Sequence, residues 1–587
     1  MTKHYGPTLP VSDEIHAMKY RGKGETFKEA MTRVADSLKD SEDHFNNFRD
    51  ILYDMRFLPA GRVQSAMGST KVVTPYNCFV SETIEDSMGG IMRAARNAAE
   101  TMRLGGGIGY DFSTLRPKGA MIKSLDSRSS GPLSFMGIFD AICKTIASAG
   151  HRRGAQMGVL RVDHPDIEDF IRAKANTTEL TQFNISVGVT DKFMQAVKED
   201  GLFDLVFEGR VYQTIRARAL WDEILRTTWD WAEPGILFID RINQKNNLAY
   251  CETIAATNPC GEQPLPPNGA CLLGSFNLTK YLKTEYSKLV FDYDQLRFDI
   301  PHVVRAMDNV VDRATYPLPE QEKEAKNKRR MGLGVTGVAN AIEALGHPYG
   351  SQGFLDELRL VMTIIRDSAY MTSVSLAIEK GAYPLFNKKL LDSEFAKTLP
   401  ETLRDMIGRY GIRNSHLLSV APTGTISLSA DNVSSGIEPV FSHYYDRTIQ
   451  TYEGPRTERV EDYGYRVFGV KGVTANELSV FDHVKVLNLA SKYVDSACSK
   501  TCNVGDNVTW QEFKDVYMAA YDGGASGCTT FRASGKRYGI LNASASEDVV
   551  EQPEAQVSQD FVSEKDNEEF IGGACYFDPT TGLRTCE

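Results

Sequence analysis

The segment Asn258-Pro259-Cys260-Gly261-Glu262 places an amide, a thiol and a carboxylate within five consecutive residues. Cys271 follows it in NGACLLGSFNL, residues 268–278. Proline and glycine favour a loop over a helix here, so the three polar side chains can be directed toward one point. Taken by itself, the segment is explained equally well by a turn that carries an incidental cysteine.

The chain around this segment has the pattern of an α/β fold. Over residues 61–542, short apolar runs such as 201–207 alternate with longer amphipathic patterns such as 219–225. Alternating strand and helix signals favour an α/β domain. Residues 1–60 instead indicate a helical N-terminal region, because Thr26 and Glu29 have the spacing of a capping box ahead of a periodic apolar pattern.

Charge and hydropathy exclude several classes of protein. The 587 residues carry a formal charge of −11, and residues 543–570 account for −8 of it, with nine acidic residues and one lysine. The remainder has no basic stripe that could neutralise a phosphate backbone, so we expect no binding to long nucleic acid. The polar N-terminus and the lack of a run of about 18 apolar residues predict no signal peptide, no membrane segment and a cytoplasmic location.

The cysteines and the C-terminal region suggest thiol chemistry. Ten cysteines are too few for a disulfide scaffold in a chain of this length, so we interpret them as thiols, metal ligands or catalytic groups. Residues 543–587 contain many acidic residues with serine and glutamine and few apolar residues, which predicts a flexible acidic tether. The tether ends in ACYFDPTTGLRTCE, which contains Cys575 and Cys586.

Several motifs occur in an order that resembles the ribonucleotide reductases. The matching segments are Asn77-Cys78-Phe79-Val80, Glu85-Asp86-Ser87-Met88, 150–158, 258–262 with Cys271, 328–334, 421–427 and the C-terminal cysteine pair. The resemblance covers about residues 58–587. It implies a ten-stranded α/β barrel with a central finger loop, the helical region before it and the flexible tail after it.

The resemblance also assigns roles around the loop. Cys260 is the thiyl radical site that takes a hydrogen atom from the ribose 3′-carbon, Glu262 accepts the proton of the 3′-hydroxyl, and Asn258 hydrogen-bonds the ribose hydroxyls. Cys78 and Cys271 form the dithiol that becomes a disulfide in each turnover, and Cys78 protonates the departing 2′-hydroxyl. Without the family, Cys78 would be interpreted as a buried structural thiol.

The tail is implied to renew this dithiol. Cys575 and Cys586 would reduce the disulfide by thiol exchange and be reduced in turn by a thioredoxin- or glutaredoxin-like protein. A tether of about 30 residues has a root-mean-square reach of ~30 Å, enough to move between the active site and that reductant. A zinc knuckle is the alternative, but no second cysteine or histidine pair is near, and we expect no metal site.

Residues 421–427 are a candidate phosphate site. Gly424 permits close approach of the backbone, and the hydroxyls of Thr423, Thr425 and Ser427 suit a phosphate at a helix N-terminus. The resemblance adds Asn77 as a substrate-binding residue.

A second nucleotide site is implied by the same resemblance. Asp86 would hold the ribose of a deoxynucleotide or ATP effector at the interface of a homodimer. Arg152 and Arg153 lie on the loop that connects the effector site with the active site, although solvated charges on a loop would also explain them.

The source of the radical is indicated by Gly527-Cys528-Thr529-Thr530-Phe531-Arg532. Oxygen-dependent members of the family pass the radical through two adjacent tyrosines at this point, and both positions are threonine here. Anaerobic members need a glycyl-radical motif near the C-terminus, where this chain has its tether. The resemblance therefore favours the class II enzymes, which generate the radical from adenosylcobalamin. The alternative is a class I catalytic subunit that depends on a separate metal-containing subunit.

Overall fold

The computed structural model describes residues 4–122, 125–149, 155–175, 179–451, 454–532, 575–577 and 584–586. Its α-helices are α1 Pro10–Tyr20, α2 Phe27–Leu38, α3 Glu42–Tyr53, α4 Gly61–Ala66, α5 Met88–Arg103, α6 Pro132–Ala149, α7 Ile167–Arg172, α8 Asp191–Lys198, α9 Ala217–Trp231, α10 Ile239–Lys245, α11 Tyr293–Arg313, α12 Pro319–Lys328, α13 Val338–Ala344, α14 Gln352–Lys380, α15 Glu401–Tyr410, α16 Gly424–Ser429, α17 Val480–Ser491 and α18 Trp510–Gly523.

The strands complete the predicted α/β composition. They are β1 Phe57–Pro59, β2 Cys78–Val80, β3 Gly107–Asp111, β4 Met121–Ile122, β5 Ser127–Arg128, β6 Gln156–Arg161, β7 Phe183–Val189, β8 Leu202–Phe207, β9 Arg210–Arg216, β10 Gly235–Phe238, β11 Ala256–Thr257, β12 Pro264–Leu265, β13 Ala270–Cys271, β14 Leu273–Asn277, β15 Leu282–Glu285, β16 Lys288–Phe291, β17 Gly332–Thr336, β18 Tyr444–Thr451, β19 Gly454–Glu461, β20 Thr501–Val504, β21 Gly527–Arg532, β22 Cys575–Phe577 and β23 Arg584–Cys586.

The central feature is an eight-stranded sheet in the order β13-β2-β3-β6-β7-β10-β21-β20, beside a three-stranded sheet in the order β1-β14-β17. Strands β2, β3, β6, β7 and β10 run parallel. Strand β13 is antiparallel to β2, β21 is antiparallel to β10, and β20 runs parallel to β21. The α/β prediction is therefore confirmed. The finer prediction of a ten-stranded barrel with a finger loop stays a prediction.

The N-terminal region is helical, as the sequence predicts. Thr26 and Glu29 form both hydrogen bonds of the capping box at the start of α2. The chain before α1 is bound to a segment that is distant in the sequence, because the backbone N–H groups of Thr8 and Leu9 both donate to the Asp431 carboxylate. Helix α1 consequently lies against α16, which the sequence could not predict.

Helices cover one face of the large sheet. On β21, the Thr530 hydroxyl lies 2.8 Å from the Tyr517 hydroxyl of α18. The ring of Tyr517 also packs edge-on against Trp221 of α9, so α9 and α18 form a layer on this face. Within the described part of the chain, no helix combines the length and apolar character needed to cross a bilayer.

Candidate active site

Residues 258–263, here called the Cys260 loop, connect β11 and β12, which pair antiparallel. Asn258 closes the loop on itself, because its Oδ1 accepts from the Gln263 N–H at 3.0 Å and its own N–H donates to the Gln263 carbonyl at 3.0 Å. Gly261 has φ of 83°, in the left-handed region where glycine is favoured. Asn258, Cys260 and Glu262 are all buried. The predicted loop is therefore a tight turn that is enclosed by the protein.

Small residues let the Cys260 loop lie directly on the large sheet. A Cβ on Gly109 would stand 1.9 Å from the Thr257 carbonyl oxygen, and a Cβ on Gly107 would stand 3.3 Å from the Pro259 ring. On β7, the side-chain amide of Asn184 donates to the Pro259 carbonyl at 3.3 Å. The loop thus occupies the sheet face opposite to α9 and α18.

Cys78 and Cys271 stand opposite each other in the antiparallel pair of β2 and β13. Directly opposed residues in such a ladder have Cα atoms about 4.5–5.5 Å apart, which is within the range that a disulfide requires. A Cβ on Gly107 would be 3.6 Å from Cys78 Sγ and 3.3 Å from Pro259 Cγ, so these two atoms lie within about 7 Å of each other. The fold therefore brings all three predicted cysteines to one region.

The cysteines of the site are not all free thiols. Cys78 is a free thiol, so the disulfide that the family resemblance implies with Cys271 is not formed in this state. Cys260 is disulfide-bonded, and its partner is not among the described side chains. Cys260 can react as a thiol only after this bond has been reduced.

A cleft opens beside the loop. Four predicted residues line it: Asn77, Cys78, Glu262 and Thr423. The remaining walls come from Tyr20 at the end of α1, from residues 58–61, from residues 273–275 of β14, and from residues 421, 422 and 426. Asn258 and Cys260 lie in the same loop as Glu262 but do not line the cleft.

The thiol of Cys78 is protonated at neutral pH. Burial raises its pKa from the ordinary value of 9.0 to about 12, and the nearby Glu262 carboxylate acts in the same direction. A hydrogen bond from Asn258 and the charge of Arg62 oppose the shift without cancelling it. Cys78 is therefore held as a thiol rather than as a standing thiolate, so it retains a proton that it could donate.

The candidate phosphate segment forms the start of α16. Thr423 has left-handed backbone dihedrals of 52° and 20°, and its hydroxyl lies 2.9 Å from that of Thr336 and accepts from the Gly436 N–H. The Ser427 hydroxyl donates to the Gly424 carbonyl. Both hydroxyls are thus engaged in holding the loop shape. Phosphate contacts would fall to the first backbone N–H groups of the helix, which have no intrahelical acceptors.

The predicted effector residues are separate from this cleft. Asp86, just before α5, accepts from Arg116 Nε at 2.6 Å, and a second Arg116 nitrogen donates to the Asp86 carbonyl. Arg152 and Arg153 lie outside the described residues. The segment that contains them leads into β6, which pairs with β7 beside the Cys260 loop.

The tail cysteines are paired at the level of the backbone. Cys575 and Cys586 are directly opposite in the antiparallel pair of β22 and β23. This register gives the short Cα separation that a disulfide needs despite the ten residues between them. Strand β23 contacts α16, the helix that borders the cleft. The acidic tether before it falls largely outside the described residues.

The two threonines of the 527–532 segment face opposite sides of the sheet. Thr530 points to α18, whereas Thr529 Oγ1 is 3.6 Å from a Cβ built on Gly235, and Ser186 Oγ is 2.9 Å from the same point. Ser186 and Asn184 share a face of β7 because they are two residues apart. Since Asn184 contacts the Cys260 loop, Thr529 faces the loop and Thr530 does not.

Some residues at or near the site could not be identified from the sequence. Tyr20 reaches the cleft only because α1 folds onto α16. Arg116 meets Asp86 from 30 positions away. Cys498 lies near the loop: the Ala497 N–H donates to the Glu262 carbonyl, and burial raises the Cys498 pKa to about 12. Across the described ranges, no group of three or more histidine, cysteine or acidic residues is placed to hold a metal ion.

The amino-acid sequence of the chain matches a known protein family. Residues 76–531 match the model described as ribonucleotide reductase, barrel domain. A vitamin B12-dependent ribonucleoside-diphosphate reductase of Mycobacterium tuberculosis (strain CDC 1551 / Oshkosh) is 35% identical over 574 residues, covering 91% of this chain and 80% of that protein.

More distant relatives extend the comparison. A protein of the same name from Thermoplasma acidophilum is 33% identical over 593 residues, covering 96% of this chain and 74% of its own. The ribonucleoside-diphosphate reductase subunit alpha of Chlamydia pneumoniae is 26% identical, covering 68% of this chain and 43% of its own.

Proposed function

The chain belongs to the ribonucleotide reductase family, and we propose that it is a vitamin B12-dependent member that converts ribonucleotides to 2′-deoxyribonucleotides by thiyl-radical chemistry. The observation that carries the proposal is that Cys78 and Glu262 of the Cys260 loop line one cleft, while Cys271 stands directly opposite Cys78 in the adjoining strand. The relatives at 33–35% identity are named as diphosphate reductases, so a ribonucleoside diphosphate is the substrate to test.

The residues in and around the cleft have separate roles in the proposed reaction. The Cys260 thiyl radical takes the 3′-hydrogen, and Glu262 accepts the proton of the 3′-hydroxyl as a general base. Cys78, protonated at neutral pH, donates its proton to the 2′-hydroxyl, which leaves as water. Cys78 and Cys271 then supply two electrons and become a disulfide, while the proton of Cys271 adds at the 2′-carbon and Glu262 returns its proton to the 3′-oxygen. Cys260 returns a hydrogen atom to the 3′-carbon, which regenerates the thiyl radical.

The face of the sheet beside the loop carries small residues, and the cofactor that this proposal requires would be bound on that side. Adenosylcobalamin supplies, when bound, a cobalt–carbon bond whose homolysis provides the radical. Ser186, Gly235 and Thr529 are small and face the Cys260 loop, and a Cβ on Gly235 would already crowd Ser186. The bulky tyrosine relay of the oxygen-dependent enzymes is replaced by Thr529 on this face. The class I alternative is therefore not favoured.

Substrate phosphates would be held at the start of α16. Thr423 lines the cleft, and Gly424, Thr425 and Ser427 follow it in the first turn of the helix. Asn77 lines the opposite wall, and its buried Oδ1 has no hydrogen-bond partner among the described residues. An acceptor in that position suits a ribose hydroxyl. Together these residues would fix the nucleotide with its ribose over Glu262.

The tail would reduce the Cys78–Cys271 disulfide. The backbone register of Cys575 and Cys586 supports their action as a dithiol, and the contact of β23 with α16 supports docking near the cleft. A thioredoxin- or glutaredoxin-like protein would then reduce the tail.

An effector nucleotide and a homodimer belong to the same proposal. Asp86 would hold the effector ribose, and Arg152 and Arg153 would carry the signal toward β6. Met88 and Met92 of α5 are 61% and 47% exposed and one helical turn apart, which is typical of a surface covered by a partner. Sedimentation with and without a deoxynucleotide tests the dimer, and a monomer in both conditions would contradict it.

The experiment that tests the function compares the wild type with Cys260→Ser and Glu262→Gln. With adenosylcobalamin, a dithiol and CDP, the wild type should form dCDP. Cys260→Ser should form none, and Glu262→Gln should turn over about 10²–10⁴-fold more slowly. Both variants should still bind CDP. Full activity of Cys260→Ser would refute the radical role of this thiol.

A further inference from the structure

Tyr20 is the last residue of α1, and it forms part of the cleft beside the Cys260 loop. Of the described residues that line the cleft, it is the only aromatic one. Sites that bind small molecules are lined mostly by apolar and aromatic side chains, with a few polar groups that fix the orientation of the ligand. Asn77, Cys78 and Glu262 supply such polar groups, so the Tyr20 ring is placed to pack against the rest of a bound ligand.

A glycine lets the ring of Tyr20 lie in this position. A Cβ on Gly61 would overlap Cε1 of the Tyr20 ring and stand 3.0 Å from its Cζ. Gly61 is the first residue of α4, and its φ lies outside the left-handed region, so the backbone itself would accept an alanine. The lack of a side chain at position 61 is therefore required by the Tyr20 ring and not by the backbone.

Helix α1 is anchored beside the cleft by Asp431, which follows α16 in the chain. Asp431 Oδ1 accepts from the N–H groups of Thr8 and Leu9 at 2.7 and 2.9 Å, and Oδ2 accepts from the Thr8 hydroxyl at 3.0 Å. The Ser12 hydroxyl donates to the Leu428 carbonyl at 2.6 Å. The start of α1 is thus joined to the end of α16, and the last residue of α1 reaches the cleft.

Further contacts hold α1 along its length. One is a small apolar cluster, separate from the main core, formed by Val11, Ile15, Leu428, Tyr445 and Val460. Nearer the cleft, His16 Nδ1 accepts from Arg21 Nε at 3.0 Å, so its Nε2 carries the proton and donates to Gln64 Oε1 at 2.9 Å. The Gln64 side chain in turn donates to the carbonyl of Pro59, which precedes α4. Helix α1 therefore bridges the α16 side and the α4 side of the cleft.

The backbone at the anchor is strained. Asp431 and Asn432 have φ of 66° and 59°, so two consecutive residues other than glycine are left-handed. Such conformations cost free energy and persist where the surrounding structure holds them, and they cluster at functional sites. The Tyr445 hydroxyl donates to Asn432 Oδ1 and holds the turn from its other side. The turn thus directs the Asp431 carboxylate toward the chain before α1.

We propose that Tyr20 binds the ribonucleotide substrate by packing its ring against it, and that Asp431 is a positioning residue that acts through Tyr20. The inference rests on the proposed ribonucleotide substrate and deepens it, because it assigns one wall of the site to the N-terminal helix. Proton and electron transfer belong to other side chains, among them Cys78 and Glu262. Loss of the ring should therefore weaken substrate binding much more than it slows the turnover of bound substrate.

The test measures CDP binding to the reduced chain by equilibrium dialysis, together with KM and kcat for CDP in the assay with adenosylcobalamin. Tyr20→Ala should bind CDP about 10-fold more weakly and raise KM by a similar factor, with kcat within about threefold of the wild type. Tyr20→Phe keeps the ring and should bind CDP within about twofold of the wild type. Gly61→Ala displaces the ring, so it should weaken CDP binding in the wild-type background and change nothing in the Tyr20→Ala background.

A second set of variants asks whether Asp431 acts through Tyr20. Asp431→Gly removes the carboxylate and accepts the left-handed backbone, and it should weaken CDP binding. The double variant Asp431→Gly/Tyr20→Ala should bind CDP no more weakly than Tyr20→Ala alone. Asp431→Asn keeps an acceptor oxygen for the two N–H groups and should restore most of the affinity. Glu14→Ala is the matched control on α1, because it removes only a surface ion pair with Arg456 and should leave CDP binding unchanged.

Each outcome supports or overturns one part of the inference. Unchanged CDP affinity in Tyr20→Ala would overturn the role of Tyr20, and additive losses in the double variant would overturn that of Asp431. Gly61→Ala leaves α1 and its anchor intact, so it decides the role of the ring even if Tyr20→Ala melts at the assay temperature. A wild type that binds CDP without forming dCDP would contradict the proposed function, while the binding data would still decide the role of Tyr20. A wild type that binds no CDP would overturn both.

Discussion

Cys78 and Cys271 are directly opposed across the antiparallel pair of β2 and β13, although 193 positions separate them in the chain. Their Cα atoms are within the distance that a disulfide requires. Cys78 also borders the cleft beside Glu262, whereas its strand partner closes the edge of the sheet. The fold thus places two cysteines that could form a disulfide beside the cleft, as the proposed removal of a hydroxyl from ribose requires.

Replacing either cysteine of this pair should abolish reduction without abolishing nucleotide binding. Cys78→Ser loses both the proton donor and one electron carrier, and Cys271→Ser loses the other carrier. Product per active site, measured after the chain has been reduced and the reductant removed, should fall below one tenth of the wild-type value in both variants. Cys143→Ser is the matched control, because Cys143 is a buried free thiol of α6 outside the cleft. A full single turnover by Cys271→Ser would remove it from the reaction.

The tail cysteines should be needed for repeated turnover and not for the first one. Cys575→Ser and Cys586→Ser should each give about one product per site once the internal dithiol has been reduced, and then stop when a thioredoxin-like protein is the sole reductant. A small dithiol that enters the cleft should restore turnover. Sustained turnover of both variants with the protein reductant would show that the tail plays no part in electron delivery.

Stability should fall at alkaline pH because buried thiols resist ionisation. Burial, followed by the charge of Asp140, raises the pKa of Cys143 from 9.0 to about 12. The unfolded chain releases this proton near pH 9 and the folded chain near pH 12, so the stabilisation is complete below pH 9 and is lost between pH 9 and pH 12.

The Cys143→Ala variant isolates this contribution. Between pH 9 and pH 12, its free energy of unfolding should decline less steeply than that of the wild type, by about 1.4 kcal/mol per pH unit. Urea unfolding at a series of pH values, with dithiol present, measures the two slopes. Identical slopes would mean that Cys143 ionises in the folded chain as readily as in water.

The local parts of this picture follow from sequence alone. The turn at Gly261 and the capping box of α2 depend on neighbouring residues, so their residue types predict them. The α/β class follows from the alternation of strand and helix signals. The order of the motifs assigned Cys78 and Cys271 to one site, and the register of β2 and β13 places these two residues opposite each other.

The remaining parts depend on contacts between distant segments. Tyr20 lines the cleft because the chain before α1 is tied to Asp431, a contact across more than 400 positions. Nothing in the two adjacent threonines says that Thr529 faces the Cys260 loop while Thr530 faces α18.

The most direct test of the cobalamin dependence is a turnover assay of the purified chain alone. CDP, a small dithiol and adenosylcobalamin should give dCDP in air and under anaerobic conditions, because Thr529 and Thr530 cannot relay a radical from a second subunit. Omitting adenosylcobalamin should abolish the product. An inactive chain that becomes active only when a separate metal-containing subunit is added would contradict the account.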